Sequence, residues 1–175
     1  FSTTKCQKVL EGLQTHIPSI SQVDTRYIHL MDASSELGRG ESTLLASLLG
    51  YGERWCNDPI KSEFKLVKTV LPRLGTISPW SSKAQDILRN CGLNAVSRLE
   101  RGIEFQIFSS LVLDEDQVSL LEVLIHDRMT EVVISDSSEA KELFQKNSPK
   151  PLQNISVMEE GEEGLKKANL SLGLA

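Results

Sequence analysis

The sequence predicts an α+β fold, an antiparallel sheet with helices packed on one face. Three observations point there. Apolar residues alternate in strand fashion at 26–32, 64–70 and 96–109. Between these segments they recur at steps of three and four, as on helices. The 175 residues, 39% hydrophobic and 25% charged, are enough for one sizeable core. Aromatic residues make up only 5% of the chain, so aliphatic side chains must do most of the packing.

The elements follow in order. Residues 3–17 read as a helix with Cys6, Val9, Leu10, Leu13 and Ile17 on one face. Ser2, Thr3 or Thr4 supplies its cap and Pro18 its end. Arg26 to Asp32 alternates about Ile28 and Leu30 as a strand. Leu44, Leu45, Leu48 and Leu49 define a short amphipathic helix closed by Gly50 and Gly52. A polar loop with Pro59 spans 54–62, and Phe64, Leu66 and Val70 mark a strand with Lys65 and Lys68 interleaved.

After the loop 71–81, Ser82 and Gln85 fit a capping box. Ala84, Ile87, Leu88 and Cys91 form the buried face of the next helix, and Gly92 stops it. Val96 to Ser109 reads as one strand or a pair, with Gly102 a bulge or bend. Asp114 and Gln117 form a second box, opening a helix that carries Val118, Leu121, Leu124, Ile125 and Met129. Val132 to Ile134 is its tail or a short strand, and 136–145 a short helix with Leu143 and Phe144 inward. Asn147 to Pro151 is a linker; Leu165, Ala168 and Leu172 mark a last helix beyond it. This divides the chain into a domain at 1–146 and a linker region at 147–175.

Charge and cysteine count exclude several functions. A net charge of −5 argues against a general nucleic-acid or membrane-surface binder. No apolar run approaches the roughly 20 residues of a membrane helix. Cys6, Cys56 and Cys91 are odd in number and far apart, which fits a reducing, cytoplasmic setting and no disulfide framework. The chain begins at Phe1 and stops inside a helical pattern, as expected of a piece of a longer polypeptide.

The loop from Leu71 to Ala84 carries the densest chemistry. Ser81, Ser82, Lys83 and Arg73 stand near the start of a helix, whose first N–H groups lack internal partners. Such a mouth receives a phosphate or carboxylate; the alternative is a capped helix whose serines serve only its own backbone. Arg98, Glu100 and Arg101 form a second cluster, either a phosphate clamp or solvated cross-strand pairs; on a strand Arg98 and Glu100 share one face and Arg101 takes the other unless Gly102 bends the chain. His126 to Glu131 is a third, and a helix-surface ion pair or a domain contact suits it better than metal. Cys91 reads as core rather than as a thiolate, and no Gly-x-Ser-x-Gly elbow occurs, so no catalytic residue is assigned. Glu159 to Glu163 reads as a solvated helix start.

Three blocks resemble one family. Leu71 to Leu93 is similar to Pro-Arg-x-Gly-Thr-Ile-Ser-Pro-Trp-Ser-Ser-Lys-Ala followed by Asp-Ile and Asn-Cys-Gly-Leu. Val96 to Gly102 is similar to Val-x-Arg-Ile-Glu-Arg-Gly, and His126 to Glu131 to His-Asp-Arg-Met-Thr-Glu. All three belong to formylglycinamide ribonucleotide amidotransferase (phosphoribosylformylglycinamidine synthase). Leu74, Gln85 and Arg89 depart from its frequent Pro, Thr and His. The resemblance implies the amino-terminal domain of the large single-chain form, built as a fused pair of PurS-type units, with the start of the linker region after it.

The complete enzyme of that family makes formylglycinamidine ribonucleotide from formylglycinamide ribonucleotide, glutamine and ATP, in purine synthesis. Its synthetase domain uses ATP and Mg²⁺, and its glutaminase domain releases ammonia. This chain would carry no cofactor and no catalytic residue, and alone would be inactive. Its implied partners are those two domains and the substrate. Ser81, Ser82, Lys83 and Arg101 would meet the substrate's phosphate or glycinamide end. Arg73, Thr76, Trp80, Arg98, Glu100, His126 and Arg128 would support the loop or a domain interface. A free-standing α+β interaction or ligand-sensing module is the competing reading.

Overall fold

A computed structural model describes residues 3–51, 64–136, 138–145, 151–152 and 154–172. The expected Ser2 cap, the Gly52 stop, the 54–62 loop, Cys56 and most of the 147–151 linker lie outside them. The elements are α1 (Thr3–His16), β1 (Ile20–Ala33), α2 (Arg39–Leu48), β2 (Phe64–Pro72), α3 (Pro79–Asn90), β3 (Val96–Ser109), α4 (Glu115–Ile125), β4 (Glu131–Ile134), a 3₁₀ turn (Glu139–Phe144) and α5 (Val157–Leu172). The strands form one antiparallel sheet in the order β1-β3-β2-β4. An α+β fold with an antiparallel sheet is therefore what the chain adopts.

Strand β3 is the spine. It pairs with β1 from Ser109 to Val96 and with β2 from Ser109 to Ile103. Its odd-numbered residues face one side, because side chains alternate along a strand. At one end of that side Phe105 and Ile107 join Val23 and Val70 beneath Leu13 and Ile17 of α1 and Leu121 of α4. At the other end Leu99 joins Leu88, Leu93 and the partly buried leucines of α2, and so does Val96, which the register shift between Asp32 and Ala33 brings round to that side. Each fully buried aliphatic side chain contributes about 1.5–3 kcal/mol. Helices α1 to α4 thus share one face. The 3₁₀ turn covers part of the other, where Ala140 meets Leu71 and Ile134.

Several expectations need correction. Strand β1 starts at Ile20, not Arg26, because a register shift between Ile20 and Gln22 lets both Ile20 and Val23 reach the core. Helix α3 starts at Pro79, capped by Ser78 rather than Ser82. Gln85 instead reaches across to the Val96 carbonyl, at 2.7 Å. Helix α4 does begin with the reciprocal Asp114 and Gln117 box. It ends at Ile125, however, not near Met129. Asp127 accepts the Met129 amide at 2.8 Å and Glu131 the Asp127 amide at 2.9 Å, so local turns compete successfully with the helix. Asp127 and Glu131 therefore do not share a helix face. Cys91 is exposed at the C-cap of α3 and takes no part in the core. The acidic run from Glu159 to Glu163 is exposed, but Gly161, at φ 59° and ψ −147°, interrupts the helix within it.

Gly102 is not a bulge: the β1–β3 register runs straight through it, opposite Ile28. Its role is close approach. A Cβ there would lie 2.5 Å from Leu71 Cδ2 and 2.9 Å from the Val70 carbonyl oxygen. Lys68, buried under α4, is held by Glu122 at 2.6 Å and Ser135 at 2.8 Å. Among the described residues no helix is long and apolar enough to cross a membrane.

Gly102→Ala is expected to destabilise the domain by about 1–3 kcal/mol, the range for overpacking a filled core. Urea unfolding at matched m-values checks it; an unchanged midpoint would contradict the crowding.

Candidate functional site

The site lies at the end of the sheet where β2 stops pairing with β3. The last β2–β3 pair is Val70 with Ile103. The chain then turns through Arg73 to Thr76, with Thr76 donating its amide to the Arg73 carbonyl at 3.2 Å and its hydroxyl to the same oxygen at 2.6 Å. Gly75, at φ 75°, supplies the left-handed residue such a turn needs. The Arg73 amide donates to the Thr130 carbonyl at 2.9 Å. Residues 71–78 and 127–131, remote in sequence, are therefore stitched together.

Ser78 and Pro79 then open α3, an N-cap serine followed by proline in the first turn. The Ser78 hydroxyl oxygen accepts the Ser81 amide at 3.0 Å. Ser78 also meets a carboxylate, that of the wholly buried Glu100. Its hydroxyl donates to Glu100 Oε2 at 2.6 Å and its amide to Oε1 at 3.2 Å. Arg98 closes the arrangement with Nη2 2.7 Å and Nε 3.1 Å from Oε1. The same guanidinium donates to the Leu143 carbonyl at 2.8 Å and the Thr76 carbonyl at 2.5 Å, and lies over the Phe144 ring. The anion at the mouth of α3 is thus the protein's own. Arg98 and Glu100 are neither a solvated pair nor an open clamp; they fix the loop from within.

The remaining site residues divide by exposure. Ser81 is buried, while Ser82 and Lys83 are exposed on the first turns of α3, the Ser82 hydroxyl 3.4 Å from the Ser78 carbonyl. Arg101 faces the other side of β3 from Glu100, and its guanidinium carbon lies 4.5 Å from the Tyr27 ring centroid, 5.0 Å from Trp80 and 6.0 Å from Tyr51. His29, its partner across the β1–β3 ladder, has Nε2 2.7 Å from the Tyr51 hydroxyl and its ring 5.7 Å from that of Trp80. Burial, and then the Arg101 charge, hold the His29 pKa below its ordinary value. Beside this cage an open cleft of about 220 Å³ runs between α2 and α3, lined by Leu48, Leu49, Tyr51, Trp80, Lys83 and Ile87 among others.

The third cluster has no metal geometry. His126 Nδ1 meets the Glu122 carbonyl, and Asp127 caps its own turn. Among the described residues no group of three or more His, Cys, Asp or Glu side chains could hold a metal ion. Arg128 is exposed. Sequence reading missed Ser78, Tyr27, His29 and Tyr51. Ser78 was signalled by the proline after it; Tyr27 and His29 by their two-residue spacing on one face of a strand. Tyr51 carried no local signal, since contact with Arg101 is set by the fold alone.

An α+β domain with cationic and hydroxyl groups beside a loop fixed by an internal carboxylate is the class of protein that the fold and the site define. The family model described as formylglycinamide ribonucleotide amidotransferase N-terminal matches residues 26–144. The chain belongs to that family and so to an enzyme system of purine biosynthesis.

Glu100→Ala strands the Arg98 charge and is expected to cost about 3–5 kcal/mol, read by urea unfolding. Arg101→Gln removes only the second cause of the His29 shift. The His29 midpoint, followed by ring NMR, should rise while staying below the usual histidine value; no movement would contradict the proximity of the two charges.

Proposed function

We propose that this chain is the non-catalytic amino-terminal part of a cytoplasmic formylglycinamide ribonucleotide amidotransferase. In this reading it packs on the synthetase part of the same polypeptide, helps wall the substrate site and helps shape the ammonia route. ATP and Mg²⁺ belong to the synthetase part. The observation that carries the reading is the family match over 26–144, which contains all three resembling blocks. The joining of 71–78 to 127–131 by the Arg73 amide supports it, because it gathers two of those blocks at one end of the sheet.

Ser82, Lys83 and Arg101 are the groups proposed to face the phosphate or glycinamide end of the substrate; Ser81, expected among them, is buried and serves the start of α3 instead. Lys83 and Arg101 suit the phosphate, being cations with no carboxylate partner among the described residues. Arg73, Thr76, Trp80, Arg98, Glu100, His126 and Arg128 then hold the loop or a domain contact. Descent from a fused pair of PurS-type units belongs to the same reading. Its support is the element order, which runs α-β-α-β twice before the 3₁₀ turn.

The deciding experiment adds this chain in trans to the remaining synthetase–glutaminase polypeptide. Restored glutamine-dependent product supports the assembly role; absence of any binding between two folded parts favours a free-standing module. In the complete enzyme, Lys83→Ala and Arg101→Ala should each raise KM for formylglycinamide ribonucleotide about tenfold, the worth of one charge-assisted hydrogen bond. Unchanged KM in folded variants would remove the substrate-facing role.

A further inference from the structure

Among the described residues no carboxylate meets the Arg101 guanidinium. Among the described residues it makes no ion pair and no hydrogen bond; its partners are the rings of Tyr27, Trp80 and Tyr51. Aromatic faces offset a guanidinium's charge but occupy none of its N–H donors in the way an oxygen does. Arg101 is half-buried, so those donors stay open to water or to an incoming oxyanion. His29 stands directly across the ladder, against Tyr51 and Trp80. The groups that face this corner are Tyr27 and His29 from β1, Arg101 from β3, Tyr51 after α2 and Trp80 from α3, with Lys83 on the adjoining cleft.

We infer that a divalent oxyanion on Arg101 and a proton on His29 bind together, making this corner a proton-linked site for a phosphate monoester. The inference rests on the substrate-facing role proposed for Arg101. With no carboxylate on Arg101 among the described residues, a second positive charge on His29 is opposed. A monoanion would cancel that opposition; a dianion leaves net negative charge beside the ring and reverses its sign. Partial burial strengthens the effect, since like charges repel more in lower dielectric. The Tyr51 hydroxyl gives the change a route. When His29 Nε2 is unprotonated it accepts the hydroxyl proton, as the 2.7 Å contact allows. Once protonated, Nε2 donates to the Tyr51 oxygen, and the hydroxyl is free to donate to the anion. Linkage is reciprocal, so acid must favour anion binding as much as the anion favours the proton.

Sulfate is the probe, because it stays divalent between about pH 5.5 and pH 8 and does not itself titrate there. It is titrated into the full chain at constant ionic strength, with the Trp80 indole and the His29 ring followed by NMR. Sulfate should raise the His29 midpoint, and its affinity should increase roughly fivefold from about pH 8 to about pH 5.5. His29→Gln should bind sulfate without the pH slope. Arg101→Gln should lose both binding and slope, while Arg101→Lys retains part of each. A pH-independent affinity, or a slope that survives in His29→Gln, overturns the proton linkage and leaves the substrate-facing role standing. No sulfate binding to the folded parent chain at any pH overturns both.

Discussion

The carboxylate of Glu100 organises the end of the molecule on which everything else rests. It is wholly buried, and removing a charge from water is costly unless other groups replace the lost hydration. Here Arg98, the Ser78 hydroxyl and the Ser78 amide replace it. Because these groups come from β3 and from the entry to α3, satisfying one charge fixes two elements. Arg98 extends the constraint through the Thr76 and Leu143 carbonyls to the preceding loop and the 3₁₀ turn. A wrong docking of any of them would leave a buried charge unmet.

The next residue along β3 does the opposite. Arg101 points to the other face by simple alternation and meets rings instead of an acid. Two neighbouring charges on one strand thus face opposite sides by parity, and the segments packed on each side decide their fates. One is consumed in holding the structure. The other keeps its donors, next to a histidine and a cleft. Fixing the first makes the position of the second reproducible, which is the relation expected between a supporting group and a binding group.

Much of this was legible from residues. The periodicities located the helices and β1, β2 and β3, while 132–134 stayed open between a helix tail and a short strand; the Asp114 box was read correctly because capping is a local affair. Boundaries went astray where tertiary contacts or short-range side-chain bonds intervened: the bulge that starts β1 early, the Asp127 turn that cuts α4 short. Cys91 looked buried on a helical wheel, yet it falls at the C-cap, where the apolar face ends. The Arg98, Glu100 and Arg101 cluster was visible as a cluster. Alternation also set Arg101 on the face opposite Arg98 and Glu100; the burial of the pair and the rings around Arg101 were not legible, since they depend on which chain segments lie above and below β3. The family, by contrast, was readable from three motifs, and the match over 26–144 spans all of them.

The two helix pairs lie on the same face of the sheet but gather separate groups of buried residues, one under α1 and α4, the other under α2 and α3. Helix α2 has no fully buried residue of its own. The two groups of buried residues thus rest on one sheet as separate packing units. Opening the α2 side exposes the Tyr51 and Trp80 corner without disturbing the packing under α1, so amide exchange there can be fast while the opposite end stays protected. Stability can therefore differ between the two ends of one sheet without a second domain.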